Sequence, residues 1–193
     1  MVLVSKNLFA GADKLLYILM QTMLDTLIQS KTRLKLLLRF FVNPESTAYL
    51  RGLAQEFDES TNAVRVELNR FEEAGLIWSH KDGNKKMYQV NTNFPMFNEL
   101  QKIAFKHFGI DQIIGQVIEK LGDVAAVYLT GELAQGLDSP IIDISIVGNN
   151  VDASYLAELV NKAEKVIDRR IRTILYKEKD KIEPKKPYLL LFG

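Results

Sequence analysis

Between Ser60 and Ala74 the sequence sets Val64, Leu68 and Phe71 at the i, i+4, i+7 spacing of a buried helical stripe. That spacing turns Asn62, Val66 and Asn69, flanked by Arg65 and Arg70, toward the opposite side. These residue types suit the edges of base pairs in a major groove: Asn can pair with adenine, Arg with guanine, and Val can meet a thymine methyl. Ser60 and Thr61 stand at the helix start, where hydroxyls and free amides can bind a phosphate. Further on, Lys81, Lys85 and Lys86 gather around Gly83 and Asn84, a set suited to phosphate contacts that add affinity with little sequence information. Both groups would also serve as ordinary solvated surface, so the elements that carry them decide between the readings.

Those elements read as helix, helix, helix, hairpin. Ser30 to Val42 forms an amphipathic first helix with Leu34, Leu37, Leu38 and Phe41 on one face and Lys31, Arg33, Lys35 and Arg39 around it, ended by Asn43-Pro44. Thr47 to Phe57 predicts a short second helix with Leu50, Leu53, Ala54 and Phe57 inward, and Arg51 near its start could touch a nucleic-acid backbone. Asp58-Glu59 makes the turn, Ser60 is the N-cap of the third helix, and Gly75 ends it through a positive φ. Past Gly75 the period becomes extended, and two runs around Asp82-Gly83-Asn84 predict a β-hairpin, in which His80 is a strand side chain rather than a ligand. Two helices joined by a tight turn and followed by a hairpin are a winged helix-turn-helix.

The runs Tyr49 to Ala54, Ser60 to Arg65, Leu68 to Leu76 and Gly83 to Tyr88 resemble the ArsR-type winged-helix regulators. More narrowly, the chain from Met23 onward is similar to a Bacteroidetes-type subgroup that joins the winged helix to a nucleotidyltransferase-like domain. The resemblance implies a transcriptional regulator acting on double-stranded DNA, usually as a homodimer. It does not imply metal sensing, because the ligand cysteines are absent.

The second half predicts helices over Met96 to Phe108, Asp111 to Leu121 and Asp152 to Asp168, with strands over Val124 to Leu129, Ile142 to Val147, Ile171 to Tyr176 and Tyr188 to Phe192. Its strand, turn and strand from Val124 to Val147 resemble the polymerase-β-like nucleotidyltransferase core. In that family a Gly-Ser pair grips the triphosphate and an Asp-x-Asp holds two magnesium ions. The matching residues here are Gly131-Glu132 and Ile141-Ile142-Asp143, so one metal carboxylate is an isoleucine and the serine is an acid that repels phosphate. The resemblance therefore implies a degenerate transferase motif at Gly131, Glu132 and Asp143, with no catalytic residue, no metal and no cofactor.

The expected fold class is α+β, a winged helix followed by a small nucleotidyltransferase-like α/β domain. Residues 1–29 are a leading helix or N-terminal extension, 30–93 the winged helix, 94–121 connecting helices and 122–193 the second domain. The leading helix carries Leu15, Leu16, Ile18, Leu19, Leu24, Leu27 and Ile28 for packing or dimerisation, and either Met1 or Met23 could be the natural start. Net charge of +1 over 193 residues excludes a globally basic nucleic-acid binder, so any DNA contact is a local patch. The absence of cysteine, with only His80 and His107 as nitrogen donors, argues against thiolate and Cys/His metal sites. No apolar run is long enough for a spanning helix, and the chain is read as cytoplasmic, without a membrane partner. An unidentified small-molecule effector fits the second domain. Two rival functions stay open: an active nucleotidyltransferase tethered to DNA by the winged helix, and a protein-interaction adaptor.

Overall fold

The computed structural model describes residues 3–111, 121, 123–177 and 187–193, with side chains from Lys14 onward. Its contacts divide the chain into two units, Leu24–Ala104 on the one hand and Met1–Met23 with Phe105–Gly193 on the other. Both borders between the units fall inside helices. Helix α1 (Leu3–Leu27) passes Met23 without a break, and α5 (Phe97–Phe108) passes Ala104. Among the described residues no helix is long and apolar enough to cross a membrane.

Unit Leu24–Ala104 is built on α2 (Lys31–Val42), whose cap Ser30 accepts from the Arg33 amide at 3.2 Å. A strand β1 (Ala48–Tyr49) precedes α3 (Leu50–Phe57), where the sequence predicts helix from Thr47. The difference has a cause: Ala48 and Tyr49 pair with Tyr88 and Met87, covering an edge that the hairpin would otherwise leave open. A two-residue strand carries no periodicity that a sequence could display.

Asp58, in the left-handed region at φ 53°, makes the turn to α4 (Thr61–Glu73). Gly75 at φ 73° ends α4 in a Schellman arrangement: the Leu76 amide bonds to the Phe71 carbonyl at 2.9 Å and the Gly75 amide to Glu72 at 3.0 Å. Strands β2 (Ile77–Asp82) and β3 (Lys85–Val90) then pair antiparallel from Ile77↔Val90 to Asp82↔Lys85, giving the order β1-β3-β2. Only Gly83 of the two-residue turn has a positive φ, as in type II′ hairpins.

This is the winged helix-turn-helix topology, and its core is Leu36, Phe40, Phe41, Leu53, Val64 and Leu68, all without exposed surface. Burying each such side chain contributes roughly 1.5–3 kcal/mol. Phe97 of α5 stacks on Phe41 at 5.7 Å.

Three of the cations around α2, Arg33, Lys35 and Arg39, are engaged inside this unit. Arg33 grips Glu67 of α4 through Nε at 2.9 Å and its terminal nitrogen at 3.3 Å. Lys35 reaches Glu59 at 3.0 Å and donates to the Phe57 carbonyl at 2.8 Å, while Thr32 donates to the other Glu59 oxygen. Arg39 pairs with Glu56 at 3.1 Å and donates to Ser46.

In the other unit, β4 (Val124–Thr130), β5 (Ile141–Gly148), β6 (Arg170–Tyr176) and β7 (Leu189–Phe192) form a sheet of order β6-β5-β4-β7. A 3₁₀ turn (Leu133–Gln135) joins the antiparallel β4 and β5, and α6 (Ala153–Ile167) crosses over to the parallel β6. Val127, Leu129, Ile142, Ile144 and Ile146 are buried with Leu156, Leu159 and Ile167 of α6. Gly109, at φ 75°, lies where a Cβ would come within 2.4 Å of Ile167, so the chain after α5 passes hard against α6. The expected strands are all present, within two residues at each end. The helix expected over Asp111 to Leu121 lies, apart from its ends, outside the described residues.

Burial raises the Glu67 and Glu59 carboxyls, but their hydrogen bonds and neighbouring cations outweigh it and hold both below the ordinary glutamate value. The folded state therefore binds these protons less readily than the unfolded chain. The stability they supply is complete above the usual glutamate pKa of about 4.3 and is lost as pH falls through the folded values. Glu56 opposes this trend, since burial outweighs Arg39 and pushes it up. Denaturant melts should show a steep loss of stability below about pH 4.5. Arg33→Ala should lower neutral-pH stability by about 1–3 kcal/mol and flatten the acid loss. Identical acid profiles for the two chains would dismiss the Arg33 pair as a cause.

Candidate nucleic-acid interface

The rotation of α4 about its axis decides what it displays. Val64, Leu68 and Phe71 are buried, and Glu67 joins them at 5% exposure. Thr61, Asn62, Arg65, Val66, Asn69 and Arg70 are all exposed, Val66 at 42% despite being apolar. The exposed surface is thus a strip of amide, guanidinium and methyl groups of the kind that matches base edges. Ser60 caps the helix by accepting from the Ala63 amide at 3.1 Å. Its oxygen is engaged, and its hydroxyl proton is the group left for a phosphate.

The expected cations do not share one condition. Arg65, exposed on the strip, makes no ion pair among the described residues. Arg70 is tied at 3.0 Å to Glu67, which already holds Arg33, though the Arg70 side chain is still 56% exposed. On the hairpin, strand alternation and the register Lys81↔Lys86 place these two lysines on one face, while Lys85 lies on the other with its ammonium 4.2 Å from the Tyr49 ring centre. Lys86 is bound to Glu72 of α4 at 2.7 Å, and the Ser79 hydroxyl donates to the other Glu72 oxygen. The hydrogen bond from Lys86, then that from Ser79, holds the Glu72 carboxyl low, and the same contact raises the Lys86 ammonium. A hollow of about 550 Å³ at the hairpin tip is lined by His80, Lys81, Asn84, Lys85 and Lys86.

Glu67 and Glu72 are the functional neighbours that the residue pattern did not single out. Glu67 had a signal: a carboxylate at i+3 from Val64 falls on the buried stripe, which demands a partner. Glu72 had none, because its partners Ser79 and Lys86 lie across a turn and a hairpin. His80 packs against Trp78 at 5.0 Å, as a strand side chain.

The second constellation sits at one end of the four-stranded sheet. Thr130 pairs in register with Asp143, and Gly131, at φ 71°, follows it so closely that a Cβ would lie 2.4 Å from an Asp143 oxygen. Gly131 and Asp143 are thus brought together, whereas Glu132 is exposed at the start of the 3₁₀ turn and Ile141 is at the surface. The Asp143 carboxylate is taken by Arg172 of the parallel neighbour β6, with nitrogens at 2.5 and 3.0 Å. Among the described residues no cluster of three acids or histidines could hold a metal ion.

The sequence matches no family model and no curated protein. Two solved structures resemble part of the chain: reduced HlyU from Vibrio cholerae N16961 and the transcriptional regulator BldR from Sulfolobus solfataricus. The first is 14% identical with a TM-score of 0.32, covering 51% of this chain and 90% of its own. The second is 14% identical with a TM-score of 0.36, covering 62% and 84%. Likenesses of that degree carry no argument about function, which rests on this chain's own residues.

If the α4 strip reads bases, alanine at Asn62, Arg65 or Asn69 should each cost about 1–3 kcal/mol of discrimination between a selected site and random DNA. Lys81→Ala and Lys85→Ala should instead weaken all sequences alike and reduce the salt slope by about one each. Mobility shifts across a salt series measure both, and full discrimination in all three α4 variants would remove the helix from the groove.

Proposed function

We propose that the chain is a sequence-specific DNA-binding transcriptional regulator, in which the winged helix reads double-stranded DNA. The observation that carries this is the strip of α4, where Asn62, Arg65, Val66 and Asn69 are exposed together on a helix whose other face is locked in the core. An exposed valine between asparagines and an arginine fits a groove lined by thymine methyls. Selection of bound fragments from the source genome tests the reading, and an unenriched pool would reject it.

The binding form in this proposal is a homodimer, since two copies of one short recognition helix can read half-sites about one helical turn apart. Support comes from α1, which leaves Leu15, Leu16, Ile18, Leu19, Met23 and Leu27 exposed. An apolar row of this kind usually meets a partner. Sedimentation should give a dimer at micromolar protein, and a monomer with and without DNA would count against it.

The second unit, in this reading, is a nucleotidyltransferase-like domain without catalysis, kept for dimer contacts or for sensing a small molecule. Two-metal transfer needs clustered carboxylates, whereas Asp143 faces Arg172 and Ile141 stands where a second acid would be required. A hollow of about 400 Å³ lined by Tyr17, Gln21, Asp138, Ser139 and Arg169 would accommodate a small polar effector. Incubation with labelled nucleoside triphosphates and magnesium or manganese should label neither the protein nor an acceptor, and Asp143→Asn should leave DNA binding intact. Labelling that vanishes in Asp143→Asn would put the tethered-enzyme reading first.

A further inference from the structure

The three wing lysines differ in what their charge faces. Lys86 alone has a carboxylate partner, with its ammonium 2.7 Å from Glu72 Oε2 and 4.9 Å from the centre of the Tyr88 ring. Glu72 is held on both oxygens, because the Ser79 hydroxyl donates to the second one. Among the described residues Lys81 has no ion pair, and Lys85 rests on the Tyr49 ring.

At 50% and 32% side-chain exposure the Lys86–Glu72 pair is screened by water, so it adds little to stability. Its consequence for a polyanion is larger. A lysine adds to DNA affinity by displacing a condensed counterion from a phosphate. Lys86 could do so either beside Glu72, which holds a carboxylate against the phosphate backbone, or by leaving it, which bares that carboxylate on α4. The gain of one contact is cancelled by the repulsion it uncovers.

Resting on the DNA-binding reading above, we infer that Glu72 is an affinity-limiting residue of this interface: it withholds Lys86 from phosphates and so lowers affinity for DNA of every sequence alike. The energy left to discriminate sites then comes from the α4 strip, with Lys81 and Lys85 as the wing's phosphate contacts. Glu73, adjacent in sequence, exposed and without an ion pair among the described residues, offers a control of equal charge.

The test measures binding of the full chain to a labelled random-sequence duplex between 50 and 200 mM salt. Glu72→Gln should steepen the salt slope by about 0.9, so that affinity falls about 3- to 4-fold more over that range than in the parent. Lys86→Ala, which bares Glu72, should flatten the slope, and Glu72→Gln with Lys86→Ala should return to the parent value. Glu73→Gln should not steepen it. An unchanged slope in Glu72→Gln, equal steepening in Glu73→Gln, or a double variant that falls below the parent by as much as Lys85→Ala does would each overturn the assignment. The glutamine can still accept from Ser79, and Glu72→Ala, with the same expected steepening, provides a second arm should that variant fold poorly. A parent chain that binds no duplex at 50 mM salt would overturn the DNA-binding reading itself, and the assignment with it.

Discussion

Glu67 lies one residue before Leu68 on the buried face of α4, with its carboxylate between Arg33 of α2 and Arg70 of its own helix. Removing a carboxylate from water costs several kcal/mol unless charge and hydrogen bonds replace the solvent. Arg33 meets that demand with two nitrogens in one geometry, and a helix held so cannot rotate about its axis without stranding the acid. The apolar stripe of Val64, Leu68 and Phe71 would tolerate some rotation and sliding, as hydrophobic contacts are not directional. The ion pair is directional. The display of Asn62, Arg65, Val66 and Asn69 as one strip therefore depends on a bond made on the other side of the helix.

The same pairing economy runs through the winged helix. Arg33, Lys35 and Arg39 on α2, Arg70 on α4 and Lys86 on the wing all face glutamates. Among the described residues of the winged helix, Lys31, Arg51 and Arg65 on the helices and Lys81 and Lys85 at the hairpin make no ion pair. A chain of net charge +1 can still present local positive groups in this way, because Glu56, Glu59, Glu67 and Glu72 each face a cation away from Arg65, Lys81 and Lys85.

Much of this was legible in the sequence, for definite physical reasons. The stripe of α4, the cap at Ser60, the stop at Gly75 and the Asp-Gly turn are local features, set by residues within a few positions of one another. The strands of the second unit were legible because their apolar runs are bounded by turn residues. What stayed hidden was non-local. Tyr49 became a strand because β3 lay beside it, and Glu72 became a partner because the hairpin folds Lys86 back across the turn after α4. Arg172 could not be matched to Asp143 until the parallel register of β5 and β6 was known, since 29 residues separate them. Composition counts Lys86 and Arg172 as charges available for binding; the fold shows each already committed.

Asp143 and Arg172 extend the argument about Glu67 to the second unit. A lone carboxylate beside Gly131, at the end of a sheet, has two ways to be neutralised: a metal ion shared with further acids, or a fixed cation from the chain. Here β6 supplies the guanidinium in register, and its two nitrogens match the two carboxylate oxygens as a divalent ion shared with an absent acid could not. Once that fork is in place, restoring one acid at Ile141 would not by itself rebuild a cation site, because Arg172 would still repel the ion. The side chains around Asp143 are consistent as a set with a structural role: an apolar residue at 141, a glycine that lets the strand end approach the carboxylate, and an arginine that closes it. In both units a buried or half-buried acid is matched by an arginine from a neighbouring element, and that match, rather than the acid, determines what the surface beside it can bind.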